Sequence, residues 1–333
     1  MATMADVARR AGVSAATVSH VLNGTRPVRP ATRDAVRAAI EELGYTHNTL
    51  ARSLVTSRTR SIGLALSATG NPYFTEIVRG VEAGARRHGY SLLLADPHDD
   101  PGHELAVVRL LHERRVDGVL VAPSARPEAM LGYLARARIP AVFLDRLVGD
   151  GHDQVCARNE EPVAGLVGHL AALGHTRIAL VAGPPGPSTT AERTAGYRLG
   201  LRRAGLPYAP ELAVGGHPEA DGAKAATRRL LALGAPPTAL VTAGSAMTVG
   251  ALRALRAAGL RVPGDIALAC FDDFPWADLF EPRLTAVAQP GREIGTAALG
   301  LLLDRLADPA GPARTLRLPC TLMHRESCGC PGR

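Results

Sequence analysis

The sequence predicts a small all-α helix-turn-helix headpiece followed by an α/β body of two lobes with parallel sheets. Three observations predict it. Residues 4–11 and 15–23 are short helix-forming stretches separated by Gly12 and Ser14, the stop-and-start pattern of two helices joined by a tight turn. From residue 61 onward short aliphatic runs alternate with helical patterns, the signature of βαβ units. The chain has 333 residues, and the part behind the headpiece is too long for one doubly wound sheet.

The first helix, 4–11, ends at Gly12. Ser14 is a good N-cap for the second, 15–23, which stops at Gly24. At 100° per residue, Val18, Val21 and Leu22 share one side and can pack on Val7 and Ala8. Ala16 and His20 face the other way, flanked by Ala15, Thr17 and Ser19. A third helix begins near Pro30, buries Val36, Ala39, Ile40 and Leu43, and ends at Gly44. In 48–55, Leu50, Ala51 and Leu54 share a face with Arg52 beside them. Eight residues are too few for a helix stable in water, so this segment orders only when its apolar face is covered. A plain interdomain linker is the alternative, and its leucine content argues against that.

In the body, strands are expected at 61–66, 91–95, 118–121, 141–144, 178–181, 239–242 and 266–270, with helices at 73–88, 104–114, 163–173, 190–204, 220–233 and 246–258. Ligands of open α/β sheets sit beyond the carboxyl ends of the strands, so two facing lobes define a cleft. The loops to search are Asn71-Pro72-Tyr73-Phe74, Leu144-Asp145-Arg146 and Phe271-Asp272-Asp273-Phe274-Pro275-Trp276. Carboxylates there take paired hydrogen bonds from a sugar or base, and aromatic faces stack on its ring. The plainer alternative is that Tyr73 and Phe74 open a helix and Asp145-Arg146 is a local ion pair.

Charge separates the two parts. Residues 1–60 hold nine Arg against four carboxylates, a net +5, while the rest of the chain is nearly neutral within a total of +7. A basic head on a neutral body points to a polyanion-binding module. The outward face of the second helix is small and polar, as a helix entering a major groove must be. His20 suits guanine N7 and O6, Ala15 and Ala16 a thymine methyl, Thr17 and Ser19 phosphate oxygens. Two copies of 48–55 meeting over a minor groove would cover each other, with Leu54 as an apolar wedge.

Other classes are disfavoured. A chain 46% hydrophobic and 21% charged is not mainly disordered. It has no apolar run long enough to span a membrane, and its opening residues lack a secretory leader pattern, so the expectation is a cytoplasmic protein. G-x-S-x-G, G-x-x-x-x-G-K-[ST] and H-E-x-x-H are absent, and Gly183-Pro-Pro-Gly186 lacks a phosphate-binding lysine. The reading is therefore not an enzyme, with no cofactor and no metal site; His169 and His175 read as ordinary surface histidines. The five cysteines (156, 270, 320, 328, 330) form no C-x-x-C pair. Cys328-Gly329-Cys330 reads as a solvated tail, with metal binding or redox sensing as the alternative.

The run from Met4 through Asp6-Val-Ala-Arg-Arg-Ala-Gly-Val-Ser-Ala-Ala-Thr-Val-Ser-His-Val-Leu-Asn to Gly24 closely resembles the start of LacI-type (lactose/galactose repressor family) transcription factors. Thr32-Arg33, Glu42-Leu43-Gly44-Tyr45 and Ala51-Arg52-Ser53-Leu54 extend the likeness, and purine-binding members share the histidine at position 20. The resemblance implies a helix-turn-helix domain at 1–47, a hinge helix at 48–57, and a periplasmic-binding-protein-like effector domain at 58–333. Its first lobe would span about 61–157 and 290–317, its second 158–289 and 318–333. It implies a homodimer, with a tetramer left open, on a pseudo-palindromic double-stranded operator, most often as a repressor controlled by a small-molecule effector. The candidate DNA contacts are Ser14, Ala15, Ala16, Thr17, Ser19, His20, Asn23, Arg26, Ala51, Arg52 and Leu54. Tyr73, Asp145, Arg193 and Asp272 match positions lining the effector cleft, and His217 falls where some members stack an aromatic; Phe74, Arg146, Ser245 and Trp276 complete the candidates.

The chain also departs from the family pattern. His47 and Val55 replace a usual Pro and a common basic residue. Gly244-Ser245 stands where many sugar-binding members have Asn-Asp, and Pro187 where purine-binding members have Arg. A sugar-like effector is the expectation. The rival is a solute-binding receptor of a transport system, which would lack the basic head.

Overall fold

The computed structural model describes residues 2–24, 26–45, 59–67, 71–215 and 219–330. The expected hinge helix, with Ala51, Arg52 and Leu54, and His217 lie outside these residues. The chain divides into two units, Met1–Thr59 and Arg60–Arg333.

The first unit holds α1 (Met4–Ala11), α2 (Ala15–Asn23) and α3 (Pro30–Leu43). Thr3 and Asp6 start α1 as a reciprocal capping box that the sequence reading passed over. The Ser14 hydroxyl starts α2 by accepting from Thr17 N at 3.1 Å. Gly12 and Gly24 end these helices at φ 65° and 63°, a left-handed turn that costs glycine nothing. Val7, Ala8, Val18, Val36 and Ala39 form the core, while Val21, Leu22, Ile40 and Leu43 are only partly buried against it. Three short helices bury only one layer of side chains.

The second unit contains two six-stranded sheets. In chain order the first sheet holds β1 (Ser61–Ala65), β2 (Ser91–Ala95), β3 (Gly118–Val121), β4 (Ala141–Leu144), β5 (Asp153–Ala157) and β11 (Thr315–Leu318), arranged β11-β5-β4-β3-β1-β2. The second holds β6 (Ile178–Ala182), β7 (Ala213–Gly215), β8 (Ala239–Thr242), β9 (Ala267–Phe271), β10 (Thr285–Ala288) and β12 (Thr321–Met323), arranged β12-β10-β9-β8-β6-β7. Helices cover both faces of each sheet. α4 (Pro72–Arg87) and α11 (Gly291–Ala307) pack on one face of the first, α5 (Pro101–Glu113) and α6 (Glu128–Ala137) on the other. In the second, α7 (Glu160–Ala172) and α8 (Ser188–Arg203) lie opposite α9 (Ala220–Leu231) and α10 (Ser245–Ala257).

The parallel expectation fails at one strand: β12 runs antiparallel to β10. Both sheets aim their carboxyl ends at a common cleft. β11 finishes at that edge and continues directly into β12, which enters the other sheet from its carboxyl side and must run against it. The chain also crosses between the lobes after β5 and before α11. β5, β7, β10, β11 and β12, and the helices α6 and α11, come in addition to the expected elements.

Candidate functional site

The headpiece presents the face expected of it. Ala15 and Ala16 are exposed, Thr17, Ser19 and His20 half-buried, and Arg26 exposed. Ser14 does more than cap: its hydroxyl lies 2.9 Å from that of Thr17, so the two hydroxyls are already paired at the start of α2. Asn23 is the last residue of α2. Arg10 reaches back to Glu42 at 2.7 Å, joining α1 to α3 through an exposed ion pair of small net worth. Of these, Ser14 and Thr17 sit at the positive end of the short, capped α2, where an anion is stabilised.

The second candidate site lies in the body, where the strand ends of the two sheets face each other across a cavity of about 630 Å³. Tyr73, Phe74, Asp145, Arg146, Arg193, Ser245, Asp272 and Trp276 all line it. Each sheet contributes one aspartate just past a strand: Asp145 after β4 and Asp272 after β9. Both have left-handed backbone, φ 67° and 74°. Asp and Asn are the non-glycine residues that tolerate this conformation best, and it turns the carboxylate off the strand axis into the cleft.

The two carboxylates are held differently. Tyr73 Oη donates to Asp145 Oδ1 at 3.0 Å, both groups being buried. Burial raises the Asp145 carboxyl above the usual aspartate range, against the pull of Arg146 and Arg193. Burial, and then the Asp145 charge, push the Tyr73 phenol well above its ordinary value, so it stays a donor. Asp272 instead accepts from Ser245 N at 3.2 Å and from Gln289 Nε2 at 2.6 Å, with Asn71 Nδ2 at 3.5 Å.

Arg193 is the buried cation on the second-lobe side. Its Nε donates to Asn159 Oδ1 at 2.9 Å and a terminal nitrogen to the Ala243 carbonyl at 2.7 Å. Its guanidinium carbon lies 3.8 Å from the centre of the Phe271 ring, a stacked geometry that fixes the fork. Arg146 is not simply the partner of its neighbour: its fork grips Asp99 and the Pro123 carbonyl, and Asp145 Oδ2 is 3.7 Å from its Nε. Phe74 and the half-exposed Trp276 supply ring faces.

The sequence reading missed Asp99, His98 and Gln289, which also line the cleft. Asp99 and His98 lie in the loop after the expected strand β2. Gln289 follows β10, a four-residue strand not among those expected. Among the described residues, two buried polar atoms here find no hydrogen-bond partner, Arg146 Nε and Gln289 Oε1. One is a donor and one an acceptor, and both are exceptions to the rule that buried polar groups are satisfied.

The raised Asp145 pKa makes a testable statement about stability. The native state holds this proton to higher pH than the unfolded chain, so stability falls as pH rises from the ordinary aspartate range through the native pKa. Asp145→Asn removes that penalty, tolerates the same φ, and keeps an acceptor for Tyr73. We expect its Tm at pH 7 to rise by about 2–4 °C for each kcal/mol relieved, with the gain vanishing below about pH 4. Thermal melts across pH check this; a gain constant from pH 3 to 8 rules out the charge as its cause.

A basic helix-turn-helix unit followed by two facing α/β lobes around a polar cleft defines the class of ligand-responsive DNA-binding regulators. The comparisons with known proteins narrow it. Residues 3–48 match the model of bacterial regulatory proteins of the lacI family, and residues 167–328 that of a periplasmic binding protein-like domain. The HTH-type transcriptional repressor PurR of Pectobacterium atrosepticum is 38% identical over 98% of this chain and 97% of its own length. The ribose operon repressor of Escherichia coli is also 38% identical, over 98% of this chain and all of its own. Among solved structures, the lac repressor dimer bound to operator and the anti-inducer ONPF superposes with a TM-score of 0.88 at 30% identity, covering 98% of this chain and 99% of that one. The transcriptional regulator CelR–cellobiose complex gives 0.76 at 34%, covering 98% and 100%. This chain belongs to the LacI family of bacterial DNA-binding transcriptional regulators. Among its described residues, no helix is long and apolar enough to cross a membrane.

Proposed function

We propose that this protein is a cytoplasmic repressor that binds a pseudo-palindromic operator as a homodimer, with its affinity set by a small polyhydroxylated effector in the interlobe cleft. The observation that carries the effector class is the cleft's hydrogen-bonding inventory. Asp145 and Asp272 accept from hydroxyls on opposite sides, Gln289 Oε1 accepts and Arg146 Nε donates. Phe74 and Trp276 offer ring faces for the C–H side of a sugar. Pro187, also in the lining, offers no side-chain donor to a purine. No catalytic step belongs to this reading, and the transport-receptor rival leaves the headpiece without a purpose.

In this reading Ala15, Ala16 and His20 meet base edges, and Ser14, Thr17, Ser19, Asn23 and Arg26 meet phosphates. Ala51, Arg52 and Leu54 serve a hinge helix in the minor groove. The effector acts by preferring one lobe arrangement, since a ligand with equal affinity for both would shift nothing. A thermal-shift panel of pentoses, hexoses, disaccharides and purine bases on the full chain tests the effector class. A true effector at a hundred times its Kd stabilises by about 2.7 kcal/mol. Stabilisation by a purine alone would sink the polyol assignment.

Operator selection from random duplexes should return a palindrome. With His20→Ala, selection should relax at one position per half-site, a contact worth about 1–3 kcal/mol. Recovery of the same motif with unchanged information at every position removes His20 from base reading.

A further inference from the structure

The C-terminal segment is not the solvated tail that its sequence suggests. Cys328 is fully buried and Cys330 half-buried. Both sulfurs meet one imidazole: His169 Nε2 is 3.3 Å from Cys328 Sγ and 3.1 Å from Cys330 Sγ. The three ligand atoms all lie within 4.8 Å of one another. His169 belongs to α7 and the cysteines follow it by some 160 positions, so no local spacing motif announces the group. His169 is thus half-buried against two thiols and not an ordinary surface histidine, and only tertiary contact creates the grouping.

The backbone is shaped to bring the two sulfurs together. A short 3-10 turn, Glu326–Cys328, is followed by Gly329 at φ 91°, where a side chain is strained, and this left-handed residue folds Cys330 back toward the same imidazole. The turn is anchored independently of the thiols. Ser327 Oγ donates to the Leu268 carbonyl at 2.7 Å and accepts from Thr285 N at 2.8 Å, while both Glu326 oxygens accept from Arg283 Nε, at 2.8 and 2.9 Å. Thr285 Oγ1 sits 3.1 Å from Cys328 Sγ. The donors thus stand on a preformed frame.

We propose that His169, Cys328 and Cys330 form a binding site for a thiophilic d10 cation, Zn2+ or Cu+. Two thiolates and an imidazole favour these ions over Mg2+, Ca2+ or Mn2+, which take oxygen ligands. Tetrahedral zinc with bonds of about 2.3 Å to sulfur and about 2.0 Å to nitrogen separates those donors by roughly 3.5 Å, a few tenths beyond the distances seen. Three protein donors leave one position for solvent or an added ligand. The bound ion would tie the C-terminal segment to α7. The site is separate from the effector cleft and does not rest on the function proposed above.

The test uses the full chain, reduced and stripped with a chelator, titrated with Zn2+ alone and anaerobically with Cu+ alone against a competing chelator dye. Co2+ reports ligand type through thiolate charge-transfer absorption. One equivalent should bind, with tighter competition by one ion deciding between the two. Cys330→Ser and His169→Gln should each lower affinity by more than the roughly 10–100-fold that loss of a mere outer-shell partner costs. Cys320→Ser, whose sulfur contacts the Arg158 carbonyl instead, should leave binding unchanged. Metal-free melts of the variants that match the parent exclude misfolding as the cause. Binding that persists equally in Cys330→Ser and His169→Gln overturns the proposal. So does a Cys328–Cys330 disulfide whose reduction restores no metal uptake.

Discussion

Arg193→Ala is expected to abolish the effector response while leaving operator selection intact. Removing one partner from a buried, hydrogen-bonded charge constellation costs about 2–5 kcal/mol in binding, or roughly 30-fold to several thousand-fold in Kd. Arg193 is almost fully buried, is gripped by Asn159 and the Ala243 carbonyl, and stacks on Phe271. It is also a counter-charge to Asp145, whose carboxyl its loss would push still higher. Arg193→Lys should rescue little, because a point charge cannot fill two forked hydrogen bonds and a stacking face. Calorimetry with the strongest compound of the panel, beside operator binding with and without it, measures both effects. A Kd within threefold of the parent would remove Arg193 from the effector site.

Gly295→Val should strongly destabilise the body although it lies away from the cleft. α4 and α11 touch through glycines. A Cβ on Gly295 would lie 2.2 Å from the Ile77 carbonyl oxygen, and one on Gly80 2.2 Å from that of Arg292. Both obstacles are main chain, which cannot rotate aside as a side chain would. Overpacking costs about 1–3 kcal/mol where side chains can yield; here whole helices must separate, and we expect about 3 kcal/mol or more. At this size that is a Tm fall on the order of 6–12 °C. Gly300, on the same helix with open space where its Cβ would stand, is the control: Gly300→Ala should stabilise slightly. Equal effects at the two positions would contradict the close-approach account.

Where periodicity and local chemistry decide, the chain could be read directly. The three headpiece helices ended on Gly12, Gly24 and Gly44 as expected, and Ser14 capped α2. The aliphatic strands β1, β3, β4, β6, β8 and β9 were legible because both their faces are buried, which forces near-continuous hydrophobic runs, and the edge strand β2 because Leu92, Leu93 and Leu94 run together although Leu94 is exposed. β11 and β12 were not: both are short, largely exposed edge strands without a run of aliphatic residues. α11 was missed although it is the longest helix described, because its middle stretch, 297–303, carries no polar residue to mark a period.

The cleft candidates show the same division. The strand-end rule located Tyr73, Asp145 and Asp272 from one strand each, and Arg193 came from the family resemblance. The rule could not show that Asp145 and Asp272 are held so differently, nor that Arg146 turns to Asp99. The headpiece helices and their stops, the buried aliphatic strands and the basic head are properties of residues close along the chain, and the sequence alone determined them. The pairing of remote groups was decided only by the folded chain: Tyr73 with Asp145, Gln289 with Asp272, His169 with two cysteines. Each of those contacts spans more than a dozen positions, and only the packing of helices on sheets brings such groups within hydrogen-bonding reach.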